Sequence, residues 1–340
     1  MKEFGKVGTE TAHLYEIKGK NGIRAELTEY GATLVQLLVN DKNGHEVDVV
    51  CGYDCVEDYV KNTCYFGATV GRNANRIANA KFTLNGKTIE LEQNDNENNL
   101  HSGKNGLSDR MWSVKSQCEN AITFAIRDEA YSDDFPGNLE VEVTYTLTDD
   151  NALEIHYHAI TDEDTICNFT NHSYFNLNGH DAGLVYDHEL IINANEYTPD
   201  IDSKAIPTGE LCDVTGTPFD FRKPKTIGAE IESGDQQLVY VNGYDHNYVI
   251  DQSKDYVARV TGDKSGIVME MKTDLPGVQL YTANFIGGQI GKGGAQYVKR
   301  GALCLESQYF PNNINQENFE SAILRKGEVY DTTTSYRFFV

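Results

Sequence analysis

The segment LEVEVTYTLTDDNALEIHYHAIT, residues 139–161, alternates strictly between apolar and polar positions. Leu139, Val141, Val143, Tyr145 and Leu147 fall on one side of an extended chain, with Glu140, Glu142, Thr144, Thr146 and Thr148 on the other. The turn residues Asp149, Asp150 and Asn151 interrupt the pattern, which resumes with Leu153, Ile155 and Tyr157. Period and turn together predict a hairpin with one buried face. Shorter extended runs are predicted at residues 24–29, 33–39, 47–51, 88–92, 121–127, 188–193, 247–251, 256–260, 267–272, 278–285, 301–309 and 334–340. Turn signals such as the Asn-Gly pairs at 21, 85, 105 and 242 punctuate them. Helical periodicity is confined to VEDYVKN near 56 and TIGAEIE near 226. No internal repeat and no Pro-, Gly- or Ser-rich linker divides the chain. The pattern predicts an all-β chain, one large antiparallel β-sandwich spanning residues 1–340 as a single domain, with its chemistry in a cleft on a sheet face.

Composition narrows the function. Acidic residues outnumber basic ones 52 to 29, a formal net charge of −23 that opposes nucleic acid and anionic membranes as partners and gives a phosphorylated substrate no general help. Seven cysteines, an odd number with no CxxC pair, disfavour a disulfide scaffold and a zinc ribbon. No apolar run approaches the ~20 residues that span a bilayer, and MKEFGKVGTE has no apolar leader core, so a cytoplasmic protein is expected. Two glycosylation sequons, at Asn168 and Asn171, lie inside a polar extended segment where a glycan would block a cleft, which favours the same compartment.

That segment, CNFTNHSYFNL at 167–177, carries the first candidate. Read as a strand, it places Asn168, Thr170, His172, Tyr174 and Asn176 on one face, polar but without formal charge, as suits a hydroxyl-rich neutral ligand. Glu306 follows the apolar run Ala302–Leu305, and no Lys or Arg lies between Arg300 and Arg325 to pair with it locally. Desolvation would raise such a carboxyl toward a useful base range. GRNANRIANAKF at 71–82 groups Arg72 and Arg76 with Asn73, Asn75 and Asn79, planar donors able to reach sugar hydroxyls. His101 ends a polar loop, and Asp245 opens a strand where one carboxylate can accept from two vicinal hydroxyls. His156 and His158 share what reads as a solvent face with Glu154 and lack a metal ligand set. GGQIGKGG at 287–294 has phosphate-loop glycines, but Lys292 is followed by Gly293; it reads as a flexible loop.

GRNANRI, NNLHSG, NFTNHSYFNL, YDHNY, GVQLYTANF and GKGG…CLESQ…PNNINQ occur in one order from residue 71 to about 316, and together they resemble the signature blocks of the aldose 1-epimerase (galactose mutarotase) family. The resemblance implies a β-sandwich of the galactose mutarotase type and interconversion of the α- and β-anomers of free aldohexoses such as galactose and glucose. By motif, it implies His172 as general acid and Glu306 as general base, with Asn75, Arg76, His101, Asp245 and Gln279 binding the substrate. Ser102 departs from the glycine expected after the histidine. Anomer exchange needs one acid and one base, so no cofactor or metal is expected. The partner is a small-molecule hexose, and the chain a monomer or homodimer. A noncatalytic sugar-binding module on the same fold is the alternative; it would not need His172 and Glu306 together. A hexose-6-phosphate epimerase would need a basic cluster that these motifs do not supply.

Overall fold

A computed structural model describes residues 1–340. The hairpin of residues 139–161 forms as strands Leu139–Leu147 and Ala152–Thr161, paired through nine positions from Leu139 opposite Thr161 to Leu147 opposite Leu153. It sits inside a nine-stranded antiparallel sheet that also takes in Ser113–Gln117, Ala121–Asp128, the C-terminal strand Val329–Phe339 and Val268–Thr273. Beside four two-stranded pairs, two five-stranded sheets join it to make three main sheets. One runs consecutively from Lys2–Val7 through Thr33–Asn40 to Glu46–Asp48; the other places Asp245–Ile250, Gly277–Tyr281 and Cys304–Gln308 side by side.

Inward side chains of all three sheets meet in one cluster of 56 buried residues, among them Leu27 and Leu34, Val143 and Tyr157, and Tyr248 and Leu305. That is a β-sandwich core. Each fully buried aliphatic or Phe side chain contributes about 1.5–3 kcal/mol, so the alternation read from the sequence is also the main source of stability. Helix is minimal: Val56–Lys61, Gln236–Tyr240 and single 3-10 turns, one of them at Ile227–Ala229. No helix is long and apolar enough to cross a membrane.

Two expectations need correction. The 167–177 segment is not a continuous strand. It forms a two-residue strand at Thr170–Asn171 against Thr69–Val70 and single bridges from Asn168 to Asn73 and from Phe175 to Val50 and Leu303, and both of its sides are buried. Its amides mostly satisfy backbone carbonyls: Asn168 donates to Ala74 and Tyr309, and Asn176 to Gly183 and Gly301. The uncharged polar row is therefore mainly a seam between loops, because buried carbonyls outside a ladder need donors. The GGQIGKGG segment is likewise not a free loop, since Lys292 is buried and donates to Asp48 and to the Val35 carbonyl.

Candidate active site

Three adjacent strands of the second five-stranded sheet, ending with Cys304–Gln308 at its edge, lay functional groups across their shared face. Asn247 pairs with Gln279, and Gln279 with Glu306; Asp245 pairs with Tyr281, and Tyr281 with Cys304. Because side chains alternate along a strand, Cys304, Glu306 and Gln308 point the same way. Loops supply the opposite wall. Tyr65, Asn75 and His101 each adopt positive φ, at 58°, 65° and 54°. Reciprocal contacts hold two of them: the Asn75 amide donates to His101 Nδ1 at 3.0 Å, and the His101 amide donates to the Asn75 carbonyl at 3.1 Å. Gly67 closes the turn after Tyr65; its φ is +66°, and a Cβ there would lie 2.0 Å from the Leu34 carbonyl oxygen. The Gly67 amide donates to the His172 carbonyl, tying this turn to the histidine.

The cleft between the walls encloses about 220 Å³ and opens to solvent on one side. Asn75, Arg76, His101, His172, Asp245, Gln279 and Glu306 all line it. His172 Nε2 lies 3.6 Å from Glu306 Oε2, with both side chains almost fully buried. That gap exceeds a hydrogen bond, and both groups face the cleft. Burial pushes the Glu306 carboxyl well above the ordinary carboxylate range; the nearby Asp245 adds to the shift and Arg76 opposes it. Burial pushes the His172 imidazole down to about 4. Both shifts favour the uncharged forms, so in the empty cleft the pair's proton is drawn toward Glu306 rather than His172. Local desolvation, rather than the field of the net charge of −23 that salt screens beyond about 8 Å, sets both directions.

Arg76 Nε donates to Asp95 at 2.7 Å, and Gln279 Nε2 donates to Asp245 Oδ1 at 2.8 Å. Behind them Gln308, fully buried, donates to Gln279 and Asn247 and accepts from Asn75. Asp95, Cys304 and Gln308 escaped the sequence reading. Gln308 and Cys304 stand two residues either side of Glu306, so strand alternation was the signal that could have found them; Asp95 had none. Tyr65, Tyr174, Tyr281 and Phe285 are the cleft aromatics. Arg72, by contrast, is fully buried away from the cleft, in an ion pair with Asp128 and donating to the Pro136 and Gly137 carbonyls. Asn73 donates to neighbouring carbonyls, so the donor cluster around residue 71 divides into two cleft residues and a structural remainder. Ser102 has its own task, its hydroxyl accepting from the Asn73 amide at 2.8 Å. His156 and His158 stay half-exposed beside Asp331.

His101, His172 and Glu306 offer ligand atoms within 4.8 Å of one another. They do not make a metal cage. His101 Nδ1 accepts from a backbone amide, so the proton of the neutral ring sits on Nε2 and no lone pair faces the cleft.

A family model described as aldose 1-epimerase matches residues 13–337. Galactose mutarotase from Bos taurus is 41% identical over 337 residues, covering 98% of this chain and 96% of the relative. Aldose 1-epimerase from Escherichia coli K12 is 35% identical over 330 residues, covering 96% and 94%. Among solved structures, an aldose epimerase homologue from C. elegans superposes with a TM-score of 0.90 at 34% identity, covering 96% of this chain and 99% of that one. Galactose 1-epimerase from Lactobacillus acidophilus superposes with a TM-score of 0.86 at 27% identity, covering 99% and 97%. With a matching family model, full-length relatives and a shared sandwich, this chain belongs to the aldose 1-epimerase family.

Proposed function

We propose that the protein interconverts the α- and β-anomers of free aldohexoses such as galactose and glucose, with Glu306 as general base and His172 as general acid. The observation that carries this reading is the buried Glu306–His172 pair, 3.6 Å apart on one wall of a sugar-sized cleft. Moving the pair's single proton from Glu306 to His172 gives carboxylate and imidazolium. Glu306 then takes the C1 hydroxyl proton while His172 Nε2 protonates the ring oxygen, and the C1–O5 bond opens to the aldehyde. The pair is left as neutral acid and neutral imidazole, its resting distribution in the empty cleft. After rotation about C1–C2, the ring oxygen attacks the other face of the aldehyde and both protons return. Each side chain contributes about 10²–10⁴ in rate.

Arg76 and His101, with Asn75 beside them, bind hydroxyls from the loop wall; Asp245 and Gln279 do so from the strand wall. The substrate is uncharged: Arg76 is the one cationic side chain lining the cleft, and it is already committed to Asp95, leaving no free cation for a phosphate. A core that draws on residues from Tyr15 to Phe338 supports the whole chain acting as one catalytic domain. Polarimetry on freshly dissolved α-galactose and α-glucose tests the reading. Added protein should speed the drift to equilibrium rotation, and an unchanged drift for both sugars would refute it.

A further inference from the structure

His172 is held in a stack. Tyr174 lies on one side, ring centroids 5.0 Å apart and planes 16° from parallel; Tyr65 is also near-parallel, at 5.8 Å and 20°. Tyr281 and His101 meet the imidazole at steep angles. Stacking fixes the plane of the ring but not its edge. A half-turn about Cβ–Cγ preserves the stack while exchanging each ring nitrogen with a carbon, which would carry Nε2 away from Glu306. The contact that distinguishes the two orientations is at Nδ1, where the buried Cys304 Sγ lies 3.6 Å away.

The proposed chemistry also requires one tautomer. Nε2 must accept a proton from Glu306 or from the open-chain hydroxyl and later return it, so in the neutral ring the proton must stay on Nδ1. We propose that Cys304 is a positioning residue for His172: its sulfur accepts the Nδ1 hydrogen, selects the ring orientation and tautomer, and leaves Nε2 as the proton-exchanging atom. This rests on the acid role proposed for His172. The thiol suits the task because it stays protonated, burial and then the nearby Glu306 holding it well above its ordinary range. A neutral, weakly accepting sulfur stabilises the imidazolium little, unlike a carboxylate at the same position, and so keeps His172 a strong acid. The groups facing the ring are thus Cys304 and Glu306 from one strand, Tyr281 from its neighbour, Tyr65 and His101 from the loops, and Tyr174 from its own segment.

The test combines nitrogen-15 NMR of histidine-labelled protein with polarimetric kinetics of Cys304→Ala and Cys304→Ser. In the wild type the neutral His172 ring should carry its proton on Nδ1. Cys304→Ala should lose that preference and lower kcat about tenfold or more with KM for galactose nearly unchanged. Cys304→Ser, which restores an acceptor, should recover most of the rate and move the imidazole titration upward. A wild-type ring protonated on Nε2 when neutral would overturn the proposal, and so would a Cys304→Ala variant with wild-type kcat and pH profile. Equal losses in both variants with an unchanged pH profile would mean that the thiol only fills space, again overturning it. Should His172→Asn prove fully active, the acid role itself fails, and the two failures are thereby told apart.

Discussion

The two walls of the cleft are built differently. On the strand wall, Asp245, Gln279, Tyr281, Cys304, Glu306 and Gln308 occupy alternate rungs of a ladder whose backbone is already paired, so all face one way. The loop wall carries Tyr65, Asn75, Arg76 and His101 on backbone that includes three non-glycine residues at positive φ, each costing on the order of 1 kcal/mol. Reciprocal bonds between Asn75 and His101, and the ion pair of Arg76 with Asp95, hold that conformation in place. The difference teaches a division of labour. A rigid, apolar-backed ladder is where a carboxyl can be desolvated and hold its proton more tightly, whereas loops can bring planar donors to many sides of a hydroxylated ligand. Damage to the Glu306–His172 pair should therefore appear in kcat, and damage to the loop wall in KM.

The largest effect belongs to the strand wall. Glu306→Gln keeps the shape and removes the base, and should lower kcat by roughly 10²–10⁴ with a modest change in KM. His172→Asn should lose a comparable factor while still binding galactose in a calorimeter. The double variant should cost less than the product of the two single losses, since both act on one step. Near-normal polarimetric rates for either single variant would remove the pair from the chemistry.

A smaller effect is expected opposite. Asp95→Ala frees the Arg76 guanidinium from its 2.7 Å partner and should raise KM by about five- to thirtyfold, the equivalent of about 1–2 kcal/mol, with kcat changed little. If kcat falls instead and KM holds, the division between the walls is wrong.

Stability supplies a third contrast. Below about pH 4.3, the ordinary glutamate value, Glu306 is protonated both folded and unfolded, and the side chain makes no pH-dependent difference. Above it the unfolded chain releases the proton while the buried carboxyl keeps it, so stability falls with rising pH until the raised folded value is passed. Glu306→Gln is free of that loss. Its melting temperature should exceed that of the wild type by a margin that grows from pH 4 to 7. An equal margin at both pH values would show that Glu306 is not desolvated. The smallest expected effect is none: exhaustive chelation should leave the rate unchanged, because the His101 tautomer denies a cation its third ligand.

How much of this was legible in the sequence follows the same division. Strict alternation made the 139–161 hairpin readable, and the short helix near 56 formed, but TIGAEIE gave only the turn Ile227–Ala229. The helix Gln236–Tyr240 and the N-terminal strands Lys2–Val7 and Glu10–Lys18 were not foreseen. Glu306 was visible as a charge after an apolar strand. The 167–177 segment misled because its polarity serves buried carbonyls of neighbouring loops, a demand set by tertiary contact that no local period encodes. Arg72 and Arg76, four residues apart in one motif, could not be separated into a buried tie and a cleft residue for the same reason. Nor could the protonation of the acid–base pair be foreseen, since burial of both groups reverses their ordinary order of titration.

That reversal governs the pH dependence. kcat/KM should be bell-shaped, with an acidic limb near pH 4 where a second proton reaches His172 and a basic limb where the pair loses its last proton from Glu306. The central claim, that catalysis draws on one proton held between these side chains and resting on Glu306 in the empty cleft, is tested most directly by infrared difference spectroscopy of the wild type against Glu306→Gln at pH 7. A protonated-carboxyl band present in the wild type and missing from the variant is the predicted result. An ionised-carboxylate signal lost in its place would contradict it.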